Sequence, residues 1–306
     1  MSRVLFVFLD GVGVGGDDPA ENPFAATPTP TLDGLVGRAL AGWDGTPRHD
    51  DDLASRTLDA TLGRAGLPQS ATGQSALLTG RDAAEAMAGH YGPWPGPTLK
   101  RFLAEGNLFD WAAARGAQHA NAYPPDFFQA LAAGRLRLNA PAHAAREAGV
   151  PLADLDAYRA GRAVAPDLDG AAFASRGVVS PDAPAAGPEA AAAAGGRLAR
   201  LAGASLLTFF DVWTTDRVGH RADAAAAATL IARLDAFLAG VLSARPRDVS
   251  VVITSDHGNL EDLRHGRHTR ADVPLWVVGP GAPQFAEVRT LCGVAPAIRA
   301  AWASDA

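Results

Sequence analysis

The sequence predicts an α/β fold with a mostly parallel central sheet, helices on both faces and a small inserted region. Three apolar runs support this prediction, at residues 4–9, 205–210 and 249–253, and each run leads into an acidic residue. Continuous apolar runs are typical of strands that are buried on both faces. Helical patterns lie between the runs, and strands that alternate with helices favour a parallel sheet. Because ligands bind at the carboxyl edge of such sheets, we expect a polar site there.

The amino-terminal run is predicted to be the first strand. It meets Asp10 without the small-residue cleavage site of a signal peptide. The glycines of residues 11–16 resemble a dinucleotide loop only superficially, because Asp10 stands where the phosphate-binding turn would begin and no helical pattern follows. A short helix is predicted from about Thr31, with Thr29 or Thr31 as its cap.

Residues 48–52 (RHDDD) have the composition of a metal site. We predict no strand beside them that would hold the side chains in place. A solvated loop is therefore expected here.

Residues 66–80 (GLPQSATGQSALLTG) combine a turn, small hydroxyl residues and a short helix that ends at Gly80. Backbone N–H groups at a helix amino terminus stabilise phosphate and lower the cost of forming an alkoxide. Ser70, Thr72 and Ser75 are therefore candidate nucleophiles. The residues alone leave open that all three are capping residues.

The middle of the chain is less regular. Helices are predicted over residues 98–104 and 108–114, and a short strand over 119–122. The rigid aromatic stretch 89–97 (GHYGPWPGP) suits either a pocket wall or a packed surface loop. We expect a single core over residues 1–306, with approximately 82–178 partly an insertion or lid beside it.

Two stretches pair a carboxylate with an imidazole. Asp256 and His257 follow a predicted strand, and their hard oxygen and borderline nitrogen are good metal donors, although the same dipeptide occurs in ordinary turns. Asp216 and His220 would share one face of a helical turn, which is the spacing at which they can bind one ion.

The carboxyl-terminal part continues the alternation of strands and helices. A long amphipathic helix is predicted over residues 222–245, with a core-facing apolar stripe formed by Leu230, Leu234, Phe237, Leu238 and Val241. A polar loop over 261–270 contains His265 and His268. A strand over 273–278 and a helix over 295–302 follow it.

Composition restricts the partners. The 306 residues carry a net charge of −6 and no long Lys/Arg cluster, so we expect neither nucleic acid nor a membrane as partner. An anionic substrate would instead need a bound cation.

The single cysteine, Cys292, excludes an internal disulfide and a thiolate metal cluster and is expected to be a small core residue. No apolar run approaches membrane-spanning length, which favours a cytoplasmic protein; the oligomeric state stays open.

Taken together, these motifs resemble the alkaline phosphatase superfamily, and most of all its cofactor-independent phosphoglycerate mutase and phosphopentomutase branch. FLDGVG resembles the opening strand of that branch, NPFAATPTPTLDGL the segment after it, TSDHGN the metal-binding strand end and HTRADVP the last ligand loop. The resemblance covers the first 80 residues and the chain from about Ser205 onward. The resemblance rests on five motifs in the correct order, which are far more specific than any one of them. They contain Asp10, Ser70, Asp216 with His220, Asp256 with His257, and His268.

The resemblance implies two divalent metal ions, Zn or Mn, and a phosphoserine intermediate on Ser70. The spacing from Ser70 to Gly80 matches that of the family nucleophile, and Thr72 is the second choice for this role. The implied ligands of one ion are Asp216, His220 and His268, and those of the other are Asp10, Asp256 and His257, with the Ser70 oxygen between substrate and metal. Asn259, Glu261 and Arg81 are candidates for supporting or phosphate contacts, whereas His265 lies outside the pattern.

The sequence also departs from the branch. The histidine-bearing GGVHSH segment and the large basic domain of the mutases are not visible, and Gln74 stands where their nucleophile turn has a histidine. Sulfate-ester cleavage is disfavoured, because Thr72 and Gln74 replace the Pro and Arg of sulfatases. The leading hypothesis is a hydrolase of small phosphate esters. The alternatives are a phosphomutase, with the inserted region as a lid, and a metal-stabilised binding protein without turnover.

Overall fold

A single eight-stranded sheet organises the part of the chain that the computed structural model describes, residues 2–181 and 186–304. The spatial order of the strands is β2-β3-β8-β7-β1-β6-β4-β5. Their bounds are β1 Arg3–Leu9, β2 Arg48–His49, β3 Leu53–Leu58, β4 Ala117–Ala122, β5 Leu152–Ala153, β6 Leu207–Val212, β7 Val249–Ser255 and β8 Val273–Val278.

The central strand β1 explains why the site lies at one edge. It pairs in parallel with β6 on one side and β7 on the other, so the carboxyl ends of all three strands meet. Side chains alternate between the two faces of the sheet: Val4 and Phe6 belong to one buried cluster, and Leu5 and Val7 to the other. The prediction of a mostly parallel α/β sheet is confirmed.

Strand β8 corrects one detail of that prediction. It pairs antiparallel with β7, so its beginning, rather than its end, lies at the carboxyl edge of the sheet. The loop that contains His268 therefore reaches the site because it precedes an antiparallel strand. Unlike the three runs that lead into acidic residues, β8 contributes to the site from the loop before it.

The expectation for residues 48–52 was also incomplete. Arg48 and His49 are exposed, as expected of a solvated segment, but they form the short edge strand β2. β2 pairs with β3, which in turn pairs with β8. The sequence LASRTL of β3 mixes polar and apolar residues because it lies near the sheet edge, and its strand pattern was therefore missed.

Helices cover both faces of the sheet. Pro188–Ala202 and Ala224–Ala244 pack on one face, and Ser70–Thr79 and Val294–Ala303 contribute to the other. The helices of the described chain are α1 Pro23–Ala26, α2 Pro30–Val36, α3 Ser70–Thr79, α4 Ala83–Ala86, α5 Pro97–Ala104, α6 Leu108–Ala113, α7 Pro125–Ala132, α8 Ala140–Glu147, α9 Leu155–Arg159, α10 Ala171–Ala174, α11 Pro188–Ala202, α12 Thr214–Arg221, α13 Ala224–Ala244 and α14 Val294–Ala303.

Helix α13 is long and apolar enough to cross a membrane by length and composition alone. Half of its most apolar stretch is buried inside the protein. It lies so close to α11 that a Cβ atom added at Gly240 would be 1.9 Å from the Ala192 carbonyl oxygen. This packing accounts for its apolar composition as that of a core helix.

The middle of the chain contributes both to the sheet and to structure beside it. β4 pairs in parallel with β6, so residues 117–122 extend the main sheet. Beyond β4, a small separate cluster buries Tyr158 and Phe173. The assignment of part of 82–178 as an insertion or lid stays a prediction.

His119 on β4 gives a testable pH dependence. Its ring is buried among Phe109, Phe209 and Tyr123, and neither ring nitrogen has a hydrogen-bond partner elsewhere in the described chain. Burial lowers the pKa of His119 from 6.5 to about 3. At a pH between these two pKa values, His119 binds a proton in the unfolded chain but not in the folded chain. The free energy of unfolding therefore falls as the pH falls.

We expect the protonation of this histidine to lower the free energy of unfolding by about 2 kcal/mol between pH 7 and pH 5. Replacing His119 with Phe should remove that contribution, measured by urea unfolding at both pH values. The exposed His49 on β2, replaced with Gln, is the control. Equal acid sensitivity in H119F and the wild type would contradict the prediction.

Candidate metal and phosphoryl-transfer site

The carboxyl edge of the sheet brings together residues from five separate segments. Asp10 follows β1, and Asp256 with His257 follows β7. Ser70 is the first residue of α3. Asp216 and His220 lie one turn apart on α12, as the spacing predicted, and His268 lies in the loop before β8.

One donor group consists of Asp216, His220 and His268. The Nε2 atom of His220 lies 3.2 Å from Asp216 Oδ2, and that of His268 lies 3.6 Å from Asp216 Oδ1. The two Nε2 atoms are 3.3 Å apart. Three potential ligand atoms therefore converge on one point.

The second donor group consists of Asp10, Asp256 and His257, all of them buried. His257 Nε2 lies 3.5 Å from Asp10 Oδ1 and 3.6 Å from Asp256 Oδ2. The Ser70 hydroxyl lies 2.9 Å from the same Nε2 atom. The His257 ring also stacks on the His268 ring, with centroids 3.7 Å apart, so the two donor groups are neighbours.

Backbone carbonyls orient all three imidazoles. Nδ1 of His220 is 2.9 Å from the Gly266 oxygen, and Nδ1 of His268 is 2.8 Å from the Pro68 oxygen. Nδ1 of His257 lies 3.3 Å from the Gly258 oxygen. If each Nδ1 carries the proton that it donates, each Nε2 presents a free lone pair to its donor group, which is the arrangement that metal ligation requires.

The electrostatics of the second group favour a cation. Burial, and then repulsion from neighbouring carboxylates, raises the pKa values of Asp10 and Asp256 well above their ordinary range. Burial and the nearby His268 hold the pKa of His257 well below its ordinary value. Asp10 Oδ1 has no hydrogen-bond partner among the described residues. Clustered buried carboxylates beside neutral imidazoles fit a divalent ion, whose charge would balance them.

Two amides hold the carboxylates in place. Gln74 on α3 donates from Nε2 to Asp256 Oδ2 at 3.1 Å and approaches Asp10 Oδ2 at 3.5 Å, while its Oε1 accepts from the Ala140 N–H. Asn259 donates from Nδ2 to Asp216 Oδ1 at 2.6 Å. Sequence reasoning noted Gln74 only as a departure from the mutase pattern; its position one turn after Ser70 was the available signal.

We expect Gln74→Ala to weaken Mn²⁺ binding by about 10- to 100-fold, because the variant leaves the buried Asp10 and Asp256 oxygens without their amide donor. Calorimetric titration of the metal-free protein with Mn²⁺ would measure this change. Gln129→Ala, on the exposed side of α7, is the matched control. Equal affinity in Q74A and Q129A would show that the amide does not support the metal site.

The structure separates the candidate hydroxyls. Ser70 faces His257, whereas the Thr72 hydroxyl donates to the Gln69 carbonyl at 3.0 Å. The Ser75 hydroxyl donates to the Ala71 carbonyl within the helix. Ser70 is therefore the candidate whose oxygen meets the donor groups.

Other candidates lie outside the site or support it indirectly. Arg81 pairs with Glu105 and donates to the Phe102 carbonyl, so the structure gives no support for a phosphate contact. Glu261 is buried and accepts from the Gly13 and Asn259 N–H groups, which holds the loop after β7 against the loop after β1. His265 is exposed beside Asp262, and Cys292 is half-buried.

A cavity of about 490 Å³ opens onto this site. Its lining includes the site residues Asp10, Ser70 and Asp216, the aromatic residues Tyr123, Phe127 and Trp213, and Pro93 with Trp94. The proline and tryptophan come from the aromatic stretch for which a pocket wall was one of two predicted roles. Tyr123, Phe127 and Trp213 were not predicted, because only the packing of β4, α7 and β6 brings them to the site.

Comparison with known proteins agrees with this geometry. A family model described as "Metalloenzyme superfamily" matches residues 197–303, which include Asp216, His220, Asp256, His257 and His268. A 2,3-bisphosphoglycerate-independent phosphoglycerate mutase from Methylobacillus flagellatus is 33% identical over 94 residues, which span 28% of this chain and 18% of the relative. Residues 197–303 therefore resemble a metalloenzyme superfamily, and the chain spans less than a fifth of the length of the mutase that it matches.

Solved structures show a similar fold. Alkaline phosphatase from the Antarctic bacterium TAB5 aligns with a TM-score of 0.54 and 13% identity, over 98% of this chain and 97% of the other. Leishmania mexicana phosphoglycerate mutase aligns with a TM-score of 0.51 and 12% identity, over 96% and 94% of the two chains. At such identities the likeness concerns the fold alone.

Proposed function

We propose that this protein is a phosphate-ester hydrolase that uses Ser70 as its nucleophile and two divalent ions, Zn or Mn. The observation that supports this proposal is the position of the Ser70 hydroxyl. It lies 2.9 Å from His257 Nε2 in one donor group and lines the same cavity as Asp216 of the other. A nucleophile beside two cation-binding groups suits displacement at phosphorus.

The residues divide into two sets of ligands. Asp216, His220 and His268 would hold one ion, and Asp10, Asp256 and His257 the other. When bound, the ions supply Lewis-acid stabilisation of the negative charge on the attacking and leaving oxygens. Oxygen and nitrogen donors without thiolate are compatible with both Zn and Mn.

The chain's own chemistry centres on Ser70. Its hydroxyl loses a proton and its oxygen forms a bond to phosphorus, while the bond from phosphorus to the alcohol oxygen breaks and that oxygen takes up a proton. Water then attacks the phosphoserine, phosphate leaves, and Ser70 regains its proton. Because Ser70 opens α3, the positive end of the helix dipole lies beside the transferred phosphoryl group.

The test is a turnover assay with the purified protein loaded with Mn or Zn. We expect phosphate release from at least one member of a panel of phosphorylated metabolites and simple diesters. Mass spectrometry after rapid acid quenching should find phosphate on Ser70. Absence of both turnover and phosphoserine across the panel would overturn the proposal.

A phosphomutase is the second candidate, favoured by one specific observation. The matched relative from Methylobacillus flagellatus is a phosphoglycerate mutase, although the match covers only 18% of its length. A mutase passes the phosphate from phosphoserine back to another hydroxyl of the same substrate. Isomer formation without release of inorganic phosphate, followed by ³¹P NMR, would favour this candidate over the hydrolase.

We also propose that the enzyme works in the cytoplasm on a small phosphorylated compound. The net charge of −6 supports a substrate held by bound cations rather than by a basic surface. Cell fractionation followed by immunodetection would test the location, and recovery in the membrane fraction would contradict it.

A further inference from the structure

Building on the proposed function, we infer that the substrate carries a flat aromatic group on the alcohol side of its phosphate ester. The cavity beside Ser70 is the basis of this inference. Its volume of about 490 Å³ exceeds what a phosphoryl group alone would fill and is typical of sites for whole small molecules. The rest of the cavity must therefore receive the alcohol part of the ester.

Part of the cavity wall is aromatic. The Tyr123 and Trp213 rings are nearly parallel, with an angle of 8° and centroids 5.9 Å apart. The Phe127 ring stacks on Tyr123 with centroids 4.0 Å apart. All three residues line the cavity. Tyr123 is buried within this stack, whereas Phe127 and Trp213 are partly exposed and can contact a bound flat ring.

The cavity lining also contains an exposed aromatic ring. Trp94 lines the cavity and is 44% exposed, which is unusual for so large an apolar side chain. The Arg137 guanidinium lies 5.9 Å from the centre of the Trp94 ring. A bound ring would remove part of the exposed Trp94 surface from water, which favours binding.

The charges of the cavity argue against a densely charged substrate. Among the described residues that line it, the cationic ones are Arg137 and Arg217. Arg217 directly follows Asp216 on α12 and lines the cavity with it. Most of the remaining lining is apolar, for example Leu136, Leu138 and Pro166. One phosphate with an uncharged flat group fits this lining better than a compact polyanion does.

The test compares phosphate esters whose alcohols have similar acidity, so that leaving-group reactivity is matched. The probes are benzyl phosphate, cyclohexylmethyl phosphate and ethyl phosphate, assayed with the Mn-loaded enzyme. We expect kcat/KM for benzyl phosphate to exceed that for ethyl phosphate by about tenfold or more, with cyclohexylmethyl phosphate between them. Equal values for the benzyl and cyclohexylmethyl esters, or for the benzyl and ethyl esters, would overturn the inference.

Two variants connect the preference to the aromatic wall. Trp213→Leu should reduce the ratio of kcat/KM between benzyl and ethyl phosphate to about threefold or less. Since Trp213 directly precedes α12, which carries Asp216, Phe127→Ala on α7 provides a second variant away from the donor groups, with the same expected direction. Trp111→Leu on α6 is the control and should keep the wild-type ratio. An unchanged ratio in both W213L and F127A would overturn the inference.

A binding measurement separates this inference from the proposed hydrolysis. Mn-loaded Ser70→Ala protein would be titrated by calorimetry with benzylphosphonate and with methylphosphonate, neither of which is cleaved as an ester. We expect benzylphosphonate to bind about tenfold more tightly. Selective binding together with no turnover of any ester by the wild type would mean that the hydrolase proposal fails. Turnover together with equal binding of the two phosphonates would mean that the aromatic inference fails.

Discussion

Replacing Ser70 with Ala should lower the turnover of phosphate esters at least about 10³-fold and abolish labelling of the protein by phosphate. The variant removes the hydroxyl that lies 2.9 Å from His257 Nε2. It leaves the helix intact, because alanine is the best helix former. Steady-state kinetics and mass spectrometry of the quenched enzyme would measure the two effects.

Two hydroxyls of the same helix serve as controls for Ser70. Thr72→Val removes a hydroxyl that donates to the Gln69 carbonyl, and Ser75→Ala removes one that donates to the Ala71 carbonyl. Both variants should keep turnover within about threefold of the wild type if their structures are intact. Retained activity in S70A together with its loss in T72V would assign the reaction to Thr72, the reserve nucleophile.

Replacing Asp216 with Ala should remove one bound ion and lower turnover by at least about 10²-fold. Asp216 provides the only carboxylate of its donor group, in which it lies beside His220 and His268. Without it, two imidazoles remain, and neither carries a negative charge to hold a divalent ion. Metal analysis by mass spectrometry, expressed as ions per chain, would measure the loss directly.

The exposed Asp51, in the turn between β2 and β3, provides a matched control. Asp51→Ala changes the net charge by the same amount and should leave both metal content and turnover unchanged. Asp256→Ala should remove the other ion and leave the group around Asp216 loaded. Unchanged metal content in D216A would contradict the assignment of this group as a metal site.

Local sequence patterns were sufficient for much of the fold. The apolar runs before Asp10, Asp211 and Asp256 became the neighbouring parallel strands β1, β6 and β7. The four-residue spacing of Asp216 and His220 corresponds to one turn of α12. These features can be predicted because a strand buried on both faces is a continuous apolar run, and a helix has a regular spacing of residues; both patterns are visible within a few residues.

Features that depend on contacts between distant segments were not readable in the same way. The antiparallel direction of β8 places the loop with His268 at the site. The apolar sequence VPLWVV of β8 would be equally suited to a parallel or an antiparallel strand. The short strand β3 near the sheet edge mixes polar and apolar residues, so its pattern resembled a loop. Strand direction follows from pairing partners, which periodicity does not identify.

The sequence by itself determined the α/β architecture, two carboxylate–imidazole pairs and a short list of hydroxyls, because each depends on residue type and near-neighbour spacing. The family resemblance added Asp10 and His268 to the expected donor residues. Only the tertiary structure decided that the Ser70 oxygen, rather than that of Thr72, faces His257, and that Gln74 holds the carboxylates. It alone also joined Tyr123, Phe127 and Trp213 into one wall beside Ser70. The physical reason is that packing acts through space rather than along the chain. It sets the direction of each side chain and brings together residues as distant in sequence as Ser70 and His257, which are 187 positions apart.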